Sequence, residues 1–555
     1  MKEVLAEMLE NETGLKKEDL LRLIEIPPEM KLGDFAFPCF TLSKKFKKNP
    51  AEIAKDLAGA VEKNLPEEIT EAKAEGPYLN FFVDRVGLAE KVLVDSLEDG
   101  WGENTNGKGK KVVIDLSHPN IAKPFGIGHL RSTIIGDSIS RIANANGYGT
   151  VKINYLGDWG TQFGKIILAY KKWGKDSELK KDAIGHLQKL YVKINKTDEF
   201  DDDARLEFKK LEEGNKNNLA MWKEFKDFSL EKFYTIYKLL NVEFDEVSGE
   251  SLYNNKMQEV IDLLKKKRLL KKSEGALVVD LKKAGGVVLI QKNDGTSLYA
   301  TRDIAAAIDR YKKYKFDKLI YEVGSEQSLH FRQVFKVLEK LGFKWSTDCV
   351  HAAHGLYLDN DGKKFSTRKG KTVYLSDVLD ETIEKSKKNL EERSEKISKK
   401  ELEKRSRVIA VAAIKYGDLK SHRQNSIVFD IDRFLAFEGD TGPYLLYSYA
   451  RAASILRKAR SKAKLEVGKI DDCEFALIKK IESFPEIVKK SYSHFAPNLI
   501  ANYAYELSQK FNEFYHDCPV MGSENERFRL EIVKSFRATL GKALGLLGIE
   551  TLEKM

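Results

Sequence analysis

The segment from residue 111 to residue 156 constrains the fold most strongly, because it combines two strand patterns, a glycine-containing turn and a helical pattern. The apolar run KKVVIDLS is typical of a buried strand, and KPFGIGHLRST follows it. Apolar residues then recur at helical spacing up to Asn146-Gly147, and TVKINYLG forms the second strand pattern. This order predicts a βαβ unit and therefore an α/β fold with a Rossmann-type, doubly wound parallel sheet.

The turn between the first strand and the helix is a candidate phosphate site. A helix N-terminus leaves backbone N–H groups unpaired and carries partial positive charge. Gly126 and Gly128 would let phosphate oxygens approach the backbone closely, and His129 follows them. Glycines at such turns are also common for structural reasons alone, and a lone histidine is commonly a hydrogen-bonded surface group. The letters GIGH therefore leave both interpretations open.

The chain is long enough for several domains, since its 555 residues are several times the usual length of one domain. Helical signals and the alternating strand YLNFFVD predict an α+β domain over 1–108, closed by a glycine-rich break. An α/β domain is predicted over 109–372, with a helical, lysine-rich insertion at about 165–250 whose acidic run indicates a solvated face. A helical connection over 373–437 and an all-α helix bundle over 438–555 complete the predicted order.

Charge and hydropathy limit the class of protein. The net charge is +10 and the pI is about 8.9, which suits a polyanionic partner but also fits many proteins that bind none. No apolar run reaches the roughly 20 residues that span a bilayer. The first residues, MKEVLAEMLENETG, lack the apolar middle of a signal peptide. We therefore expect a soluble, cytoplasmic protein without a membrane partner.

The cysteines give no sign of a metal site. Cys39, Cys349, Cys473 and Cys518 are scattered and show no CxxC spacing. Structural zinc sites and disulfide frameworks both depend on grouped or regularly spaced cysteines. We therefore expect four ordinary thiols and no protein-held metal.

A longer stretch around the turn carries a family resemblance. SHPNIAKPFGIGHLRSTIIGDSISRI resembles the signature of class I aminoacyl-tRNA synthetases, and within that class it is similar to the arginyl-tRNA synthetases. NYLGDWGTQFG, LYATRDIAAA, VGSEQSLHF, DGKKFSTRKG and FEGDTGPYLLYSYARA are similar to blocks of the same family and follow in the same order. The resemblance runs from about residue 75 to Met555. The first hundred residues resemble the family's additional tRNA-binding domain in outline, and the last bundle resembles its DALR-type anticodon-binding domain.

The resemblance implies a two-step ligation. Arginine attacks the α-phosphate of ATP to give arginyl-adenylate and pyrophosphate, and a terminal ribose hydroxyl of tRNA(Arg) then takes the arginyl group and releases AMP. ATP with Mg²⁺, L-arginine and tRNA(Arg) are the implied substrates and partners, and the family is generally monomeric. The family also implies that tRNA must be bound before arginine is activated. Such chemistry depends on positioning and on donors aimed at developing phosphate charge.

The phosphate residues follow from the HIGH signature of the class. Gly128 and His129 match its glycine and its second histidine, whereas Gly126 replaces the first histidine. In arginyl-tRNA synthetases a lysine just upstream of the signature is thought to compensate for a lysine lost elsewhere, and Lys123 occupies that position. The resemblance thus makes His129 and Lys123 catalytic and places Gly126, Gly128, His129 and Lys123 on ATP.

KFSTR occupies the place of the family's KMSKS loop, which grips pyrophosphate. Lys364 matches its first lysine and is implied to be catalytic and ATP-binding, and Ser366 is implied to bind ATP. Thr367 stands where the second lysine is usual, a departure that many arginyl-tRNA synthetases share. Without the resemblance, the same letters would suit a flexible basic loop.

Recognition of arginine needs acceptors, because a guanidinium has five N–H donors and no acceptor. By resemblance, Tyr299 and Asp303 match the family's guanidinium-binding tyrosine and aspartate, and their separation of four places both on one face if the segment is helical. Asn120 and Gln327 match further polar ligands of the substrate. Asp115 stands where the family often has glutamate, so it is a weaker candidate for holding the amino acid.

Three other interpretations compete with an active arginyl enzyme. A cysteinyl synthetase would need grouped metal-ligand cysteines, and a small adenylyltransferase would need neither KFSTRKG nor the C-terminal bundle. A catalytically impaired, synthetase-like tRNA-binding protein is the alternative from a different functional class. Gly126, in place of a signature histidine, is the feature that suggests it.

Overall fold

The computed structural model describes residues 1–282, 285–292, 299–365, 367–368, 371–393, 397–459 and 467–555. These residues form two compact units. The first comprises Met1–Trp101, Ala452–Ser483 and Leu507–Thr539. The second comprises Gly102–Arg451, Phe484–Glu506 and Leu540–Met555. Among the described residues, no helix is both long enough and apolar enough to cross a membrane.

The chain up to residue 101 is α+β, as its alternating pattern predicts. Asn49 and Pro50 explain where one of its helices begins, because the Asn49 side chain accepts from the Ala51 N–H and proline fits the first helical turn. Its three strands form an antiparallel sheet in the order β1-β3-β2. The elements are α1 (Lys2–Thr13), α2 (Lys17–Leu23), β1 (Phe35–Pro38), α3 (Ser43–Phe46), α4 (Pro50–Val61), β2 (Ile69–Glu75), β3 (Tyr78–Val83) and α5 (Arg85–Asp95).

The chain from residue 102 to residue 451 begins with the predicted strand, turn, helix and strand. Its elements are β4 (Lys111–Leu116), α6 (Gly128–Ala145), β5 (Gly149–Leu156), α7 (Thr161–Trp173), α8 (Asp176–Lys181), α9 (Ala183–Ile194), α10 (Asp201–Glu212), α11 (Lys216–Leu239), β6 (Glu246–Gly249), α12 (Met257–Lys266), β7 (Leu270–Ser273), β8 (Ala276–Asp280), β9 (Val287–Gln291), α13 (Tyr299–Tyr314), β10 (Lys318–Tyr321), α14 (Ser328–Leu341), β11 (Cys349–His351), β12 (Tyr357–Leu358), β13 (Thr367–Arg368), β14 (Lys371–Thr372), α15 (Leu375–Arg393), α16 (Lys399–Leu419), β15 (Ile427–Val428) and α17 (Ile431–Phe434).

Five of these strands form the parallel sheet that the sequence predicts, in the order β11-β10-β4-β5-β6. The central strand β4 is apolar over Val112–Ile114 and is buried there, as a strand covered by helices must be. The helical insertion is present as α7 to α11. The short edge strand β6 follows it and was not predicted, because four residues reading EVSG show no apolar alternation.

The C-terminal chain is helical, and its helices contribute to both units. They are α18 (Gly442–Lys458), α19 (Asp472–Glu482), α20 (Phe484–His494), α21 (Pro497–Asp517) and α22 (Glu526–Leu546). The prediction of four free thiols is wrong for Cys473 and Cys518, which form a disulfide in the first unit. They are 45 residues apart in the chain, and spacing alone does not reveal such tertiary neighbours. Cys39 and Cys349 are free and buried.

Candidate active site

The site lies at the carboxyl edge of the parallel sheet, where the strand order reverses. From β4 the chain continues to β5 on one side and later returns to β10 on the other side. Ligands of open α/β sheets bind outside the strand ends at such a switch point. Asp115 near the end of β4, Glu322 just after β10 and the turn after β4 all meet there.

The backbone of the loop after β4 is strained. Ser117, His118 and Ala122 all have positive φ, at 78°, 55° and 58°. Such conformations cost about 1–3 kcal/mol each and persist where surrounding contacts impose them. Here the Ser117 N–H donates to Ser132 Oγ at 2.9 Å, and the Ala122 N–H donates to Ser229 Oγ at 2.8 Å. Strain held in this way is typical of functional loops.

The turn opens α6 as the sequence predicts. Helix α6 begins at Gly128 without a side-chain cap from Ile127. The His129 and Leu130 N–H groups donate to the Gly126 and Ile127 carbonyls, at 3.0 and 3.1 Å. A Cβ built on Gly126 would meet only His129 Cδ2, at 4.0 Å, and a Cβ built on Gly128 would meet nothing within 4 Å. Open space in front of an uncapped helix N-terminus is the geometry that phosphate oxygens require.

His129 stands at this turn as a neutral imidazole. Burial, together with the positive potential of His118 and His354, lowers the pKa of His129 to about 4. A hydrogen bond to the Ser117 backbone opposes the shift. At pH 7 the ring can therefore donate a hydrogen bond but carries no charge of its own in the free protein.

The two predicted lysines are held by other neighbours in this conformation. Lys123 Nζ donates to Gln162 Oε1 at 3.0 Å and lies 4.4 Å from the centre of the Tyr191 ring. Lys364 Nζ is 3.2 Å from a carboxylate oxygen of Glu326. Neither ammonium is thus directed at the turn, and a phosphate role for either lysine requires its side chain to leave these partners.

The KFSTRKG segment is described only in part. Thr367 and Arg368 pair in antiparallel fashion with Thr372 and Lys371. Ser366, the predicted ATP ligand, lies outside the described residues.

The predicted guanidinium ligands begin one helix. Tyr299 and Asp303 are both on α13, so the helical spacing that their pairing requires is present. Tyr299 is 62% exposed, and Asp303 Oδ2 lies 2.5 Å from His330 Nε2 on α14. Asp303 is thus the more buried of the two residues and Tyr299 the more exposed.

Asn120 and Gln327 lie on different loops at the same sheet edge. Asn120 pairs with Gly157, which follows β5, and a Cβ built on Gly157 would meet Asn120 Oδ1 at 2.2 Å. Glycine is therefore needed there for the amide to keep its place. Gln327 ends the 3₁₀ turn Ser325–Gln327 before α14 and is exposed.

Asp115 already has a cationic partner. Its Oδ2 lies 2.5 Å from Arg310 Nη1, and both side chains are only 2% exposed. The Arg310 guanidinium also lies 5.1 Å from the Tyr155 ring centre and 5.5 Å from that of Tyr321. A role for Asp115 in holding the amino acid would therefore use the carboxylate oxygen that does not face Arg310.

Two further acids belong to this region and were not predicted from the sequence. Burial raises the pKa of Glu250 to about 7, and the negative charges of Asp303 and Asp158 add to the effect while Arg302, 3.6 Å away, opposes it. Glu250 follows β6 in a stretch that was interpreted as insertion, and Asp158 follows β5. Only the fold brings them near Asp303. Asp158 is already paired with Lys226 at 2.7 Å, so Glu250 and Asp303 are the acids that favour a cationic ligand here.

A parallel sheet with an open helix N-terminus at its switch point and an acidic pocket beside it is the site of a class I aminoacyl-tRNA synthetase. The family model for the catalytic domain of class I tRNA synthetases (R) matches residues 91–431. Models for the arginyl tRNA synthetase N terminal domain and the DALR anticodon binding domain match residues 1–83 and 445–555. The chain belongs to the arginyl-tRNA synthetase family, which confirms the resemblance and the predicted fold class.

Individual relatives agree over full length. The chain is 44% identical to an arginine–tRNA ligase of Clostridium perfringens over 100% of both chains. It is 44% identical to one from Streptococcus pneumoniae over 98% of this chain and 97% of that one. Among solved structures it is similar to the Thermus thermophilus arginyl-tRNA synthetase, with a TM-score of 0.84, 25% identity and coverage of 100% and 99%. The Plasmodium falciparum enzyme gives a TM-score of 0.82 at 26% identity, with coverage of 100% and 98%.

Proposed function

We propose that the chain ligates L-arginine to tRNA(Arg) with ATP as the energy source, through an arginyl-adenylate, and releases AMP and pyrophosphate. One observation carries the proposal: the acids Glu250 and Asp303 lie at the same edge of the sheet as the N-terminus of helix α6. The first feature suits a guanidinium and the second suits phosphate. An enzyme that joins arginine to the α-phosphate of ATP needs both features side by side.

The amino acid would be held by two groups of residues. Asp303 and Glu250 accept from the guanidinium, with the Tyr299 hydroxyl at the rim of the pocket. Asn120 and Gln327 bind the backbone end of the substrate, and Asp115 is a weaker candidate for its α-ammonium group. This orientation directs the arginine carboxylate toward the turn at Gly126.

The triphosphate would lie on the turn. The positive end of the α6 dipole, the close approach at Gly126 and Gly128, and a hydrogen bond from the His129 side chain stabilise the phosphates without net charge. Lys123 and Lys364 supply positive charge once they leave their present partners, and Ser366 is a further ATP ligand. These donors stabilise the charge that develops on the α-phosphate and on the leaving pyrophosphate.

Magnesium is proposed as the ion that arrives on the ATP phosphates and neutralises part of their charge. Among the described residues, Asp471, Glu474 and Cys518 have their ligand atoms close enough together for a metal ion. That cluster does not fit one, because Arg529 pairs with both carboxylates and Cys518 is in the disulfide. We assign no protein ligand to magnesium.

The remaining assignments are also part of the proposal. Residues 1–108 act as an additional tRNA-binding domain, 109–372 as the catalytic domain and 373–437 as a connection, and 438–555 bind the anticodon. We further propose that the protein acts as a monomer in the cytoplasm. The catalytically impaired alternative has Gly126 in its favour, but the comparisons give it no support.

The direct test of the proposed function is aminoacylation. The full chain, with ATP, Mg²⁺ and a tRNA(Arg) transcript, should transfer labelled arginine to the 3′ end of the tRNA. Lysine, which is also cationic but lacks a planar fork of donors, should not replace arginine. Tight binding of the tRNA without transfer of any amino acid would favour the impaired alternative.

A further inference from the structure

His118 lies between the acidic pocket and the phosphate turn. Its Nδ1 is 3.6 Å from Asp115 Oδ1, and its ring centre is 6.3 Å from that of Tyr155 on β5. On the other side, His118 is close enough to His129 to affect it electrostatically, and the ring of His129 bonds to the backbone of the adjacent Ser117. His118 thus neighbours the amino-acid subsite and the phosphate subsite at once.

One ring nitrogen of His118 has no hydrogen-bond partner among the residues that the structure describes. The side chain is 21% exposed, but Nε2 itself is buried and makes no hydrogen bond to any described residue. A buried polar atom without a partner is costly, and proteins keep one mainly where a ligand, a water or a catalytic role uses it. Nδ1 faces Asp115, so Nε2 is the nitrogen left to contact a substrate.

The backbone at His118 points to the same conclusion. Its φ of 55° is uncommon for a non-glycine residue, although histidine tolerates it better than most. Glycine would fit this position without strain. The chain instead places a large polar ring there, which is the pattern of strain retained at functional sites.

We propose that His118 is a catalytic residue that contacts the reacting α-phosphate and supplies the imidazole donor that Gly126 cannot supply. The inference rests on the proposed function, because the two subsites define where the reaction occurs. In the activation step an arginine carboxylate oxygen forms a bond to the α-phosphorus. The bond from that phosphorus to the bridging oxygen breaks, and pyrophosphate leaves with the electron pair. With Nδ1–H directed at Asp115, His118 acts in the imidazolium form, in which both ring nitrogens carry a proton. Its Nε2–H donates a hydrogen bond to a non-bridging α-phosphate oxygen and transfers no proton.

The test is arginine-dependent pyrophosphate exchange by His118→Gly in the full chain with tRNA. Glycine keeps the backbone conformation and leaves a space for a free imidazole molecule. Because an aimed transition-state donor is typically worth about a hundredfold or more in rate, kcat should fall by about that factor. The KM values for arginine and ATP should change by less than about threefold. Added imidazole should restore the rate at least about tenfold, which a merely structural role would not allow.

A second variant probes the claim about Gly126. Gly126→His should gain nothing in the wild-type chain, where the donor is already present, but should raise the rate of His118→Gly. The open space at Gly126 can accept a side chain. Lys315→Gly, which likewise replaces a non-glycine residue at positive φ but at an exposed position outside the site, is the matched control and should keep the wild-type rate.

The outcomes separate this inference from the proposed function. If the wild-type chain exchanges pyrophosphate with arginine and folded His118→Gly does so within about threefold, only the inference is overturned. It is also overturned if the loss in His118→Gly responds neither to imidazole nor to Gly126→His. If the wild-type chain shows no exchange with any amino acid, the proposed function itself fails.

Discussion

The phosphate turn and the acidic pocket are adjacent but use opposite electrostatics. The turn presents glycines, backbone N–H groups and a neutral His129, and its lysines rest on other partners. The pocket contains buried ionisable side chains that are already paired, such as Asp115 with Arg310 and Glu250 with Arg302. Burying an ion pair costs desolvation free energy. Removing one partner then leaves an unpaired buried charge, which strongly destabilises the fold.

The difference indicates how each subsite obtains specificity. A triphosphate supplies the negative charge itself. The neutral donors of the turn do not repel one another in the free protein, so the turn can stay preformed until the triphosphate binds. A guanidinium must replace or extend existing ion pairs, so only a ligand with the right fork of donors gains from the exchange. We therefore expect changes at the turn to affect the rate of activation and changes in the pocket to affect arginine binding.

The largest effect should come from the turn. Lys123→Ala should lower kcat of adenylate formation by about a hundredfold or more, because a donor aimed at transition-state charge is worth about 3–4 kcal/mol, while the ATP KM changes less. His129→Ala should act in the same way. Single-turnover measurements with arginine, ATP and tRNA would show it.

Gln162→Ala is the matched control for Lys123, since it removes the resting partner but leaves the ammonium. Its rate should stay near that of the wild type. A Lys123→Ala variant that keeps kcat within about threefold of the wild-type value would contradict the assignment of Lys123 as a compensating donor.

The pocket should show its effect in KM. Asp303→Asn removes a charge-assisted hydrogen bond worth about 1.5–3 kcal/mol, so the arginine KM should rise roughly tenfold to a hundredfold. Asp309→Asn is the control on the same helix, because Asp309 pairs with Lys256 instead. Steady-state kinetics would decide, and an unchanged arginine KM in Asp303→Asn would remove Asp303 from the pocket.

A pH series should sharpen the contrast further. Because the pKa of Glu250 is raised to about 7, the carboxyl is mostly neutral at pH 6 and mostly ionised at pH 8. If only the ionised form binds the guanidinium, the arginine KM should fall about tenfold between these pH values. Glu250→Gln should abolish this dependence. An arginine KM that follows the same pH curve in both proteins would exclude Glu250 from arginine binding.

The smallest effect concerns stability and the turn. The folded protein lowers the pKa of His129 to about 4, below its ordinary value, so the unfolded chain binds more protons between the two values. The contribution of His129 to the free energy of unfolding is therefore lost as the pH falls from 6.5 to about 4. The drop in melting temperature from pH 7 to pH 5 should be smaller in His129→Gln than in the wild type, by about 1–2 °C. Equal drops in the two proteins would show that His129 is not buried as a neutral group.

The two subsites also differ in how much the sequence could predict. The turn is one contiguous segment, so Gly126, Gly128 and His129 could be placed before α6 from the letters alone. The pocket collects Asp158, Glu250 and His330 from separate loops and helices, and no local pattern marks them. The ion pair between Asp115 and Arg310 joins β4 to α13, which only the packing of a helix on the sheet determines.

The sequence also could not predict which side chains contact the two lysines. Lys123 pairs with Gln162 because α7 of the insertion packs beside the turn, and the sequence does not give that packing. The disulfide between Cys473 and Cys518 was missed for the same reason, since tertiary contacts bring together residues that no spacing rule connects.

The most direct test of the account is pyrophosphate exchange by the full chain with arginine, in the presence and absence of tRNA(Arg). The full chain is required, because Phe484–Glu506 and Leu540–Met555 belong to the same compact unit as the catalytic sheet. We predict rapid exchange with arginine and tRNA together and almost none with arginine alone. Rapid exchange without tRNA would contradict the coupling of activation to tRNA. No exchange with tRNA bound would contradict the assignment of this site to arginine activation.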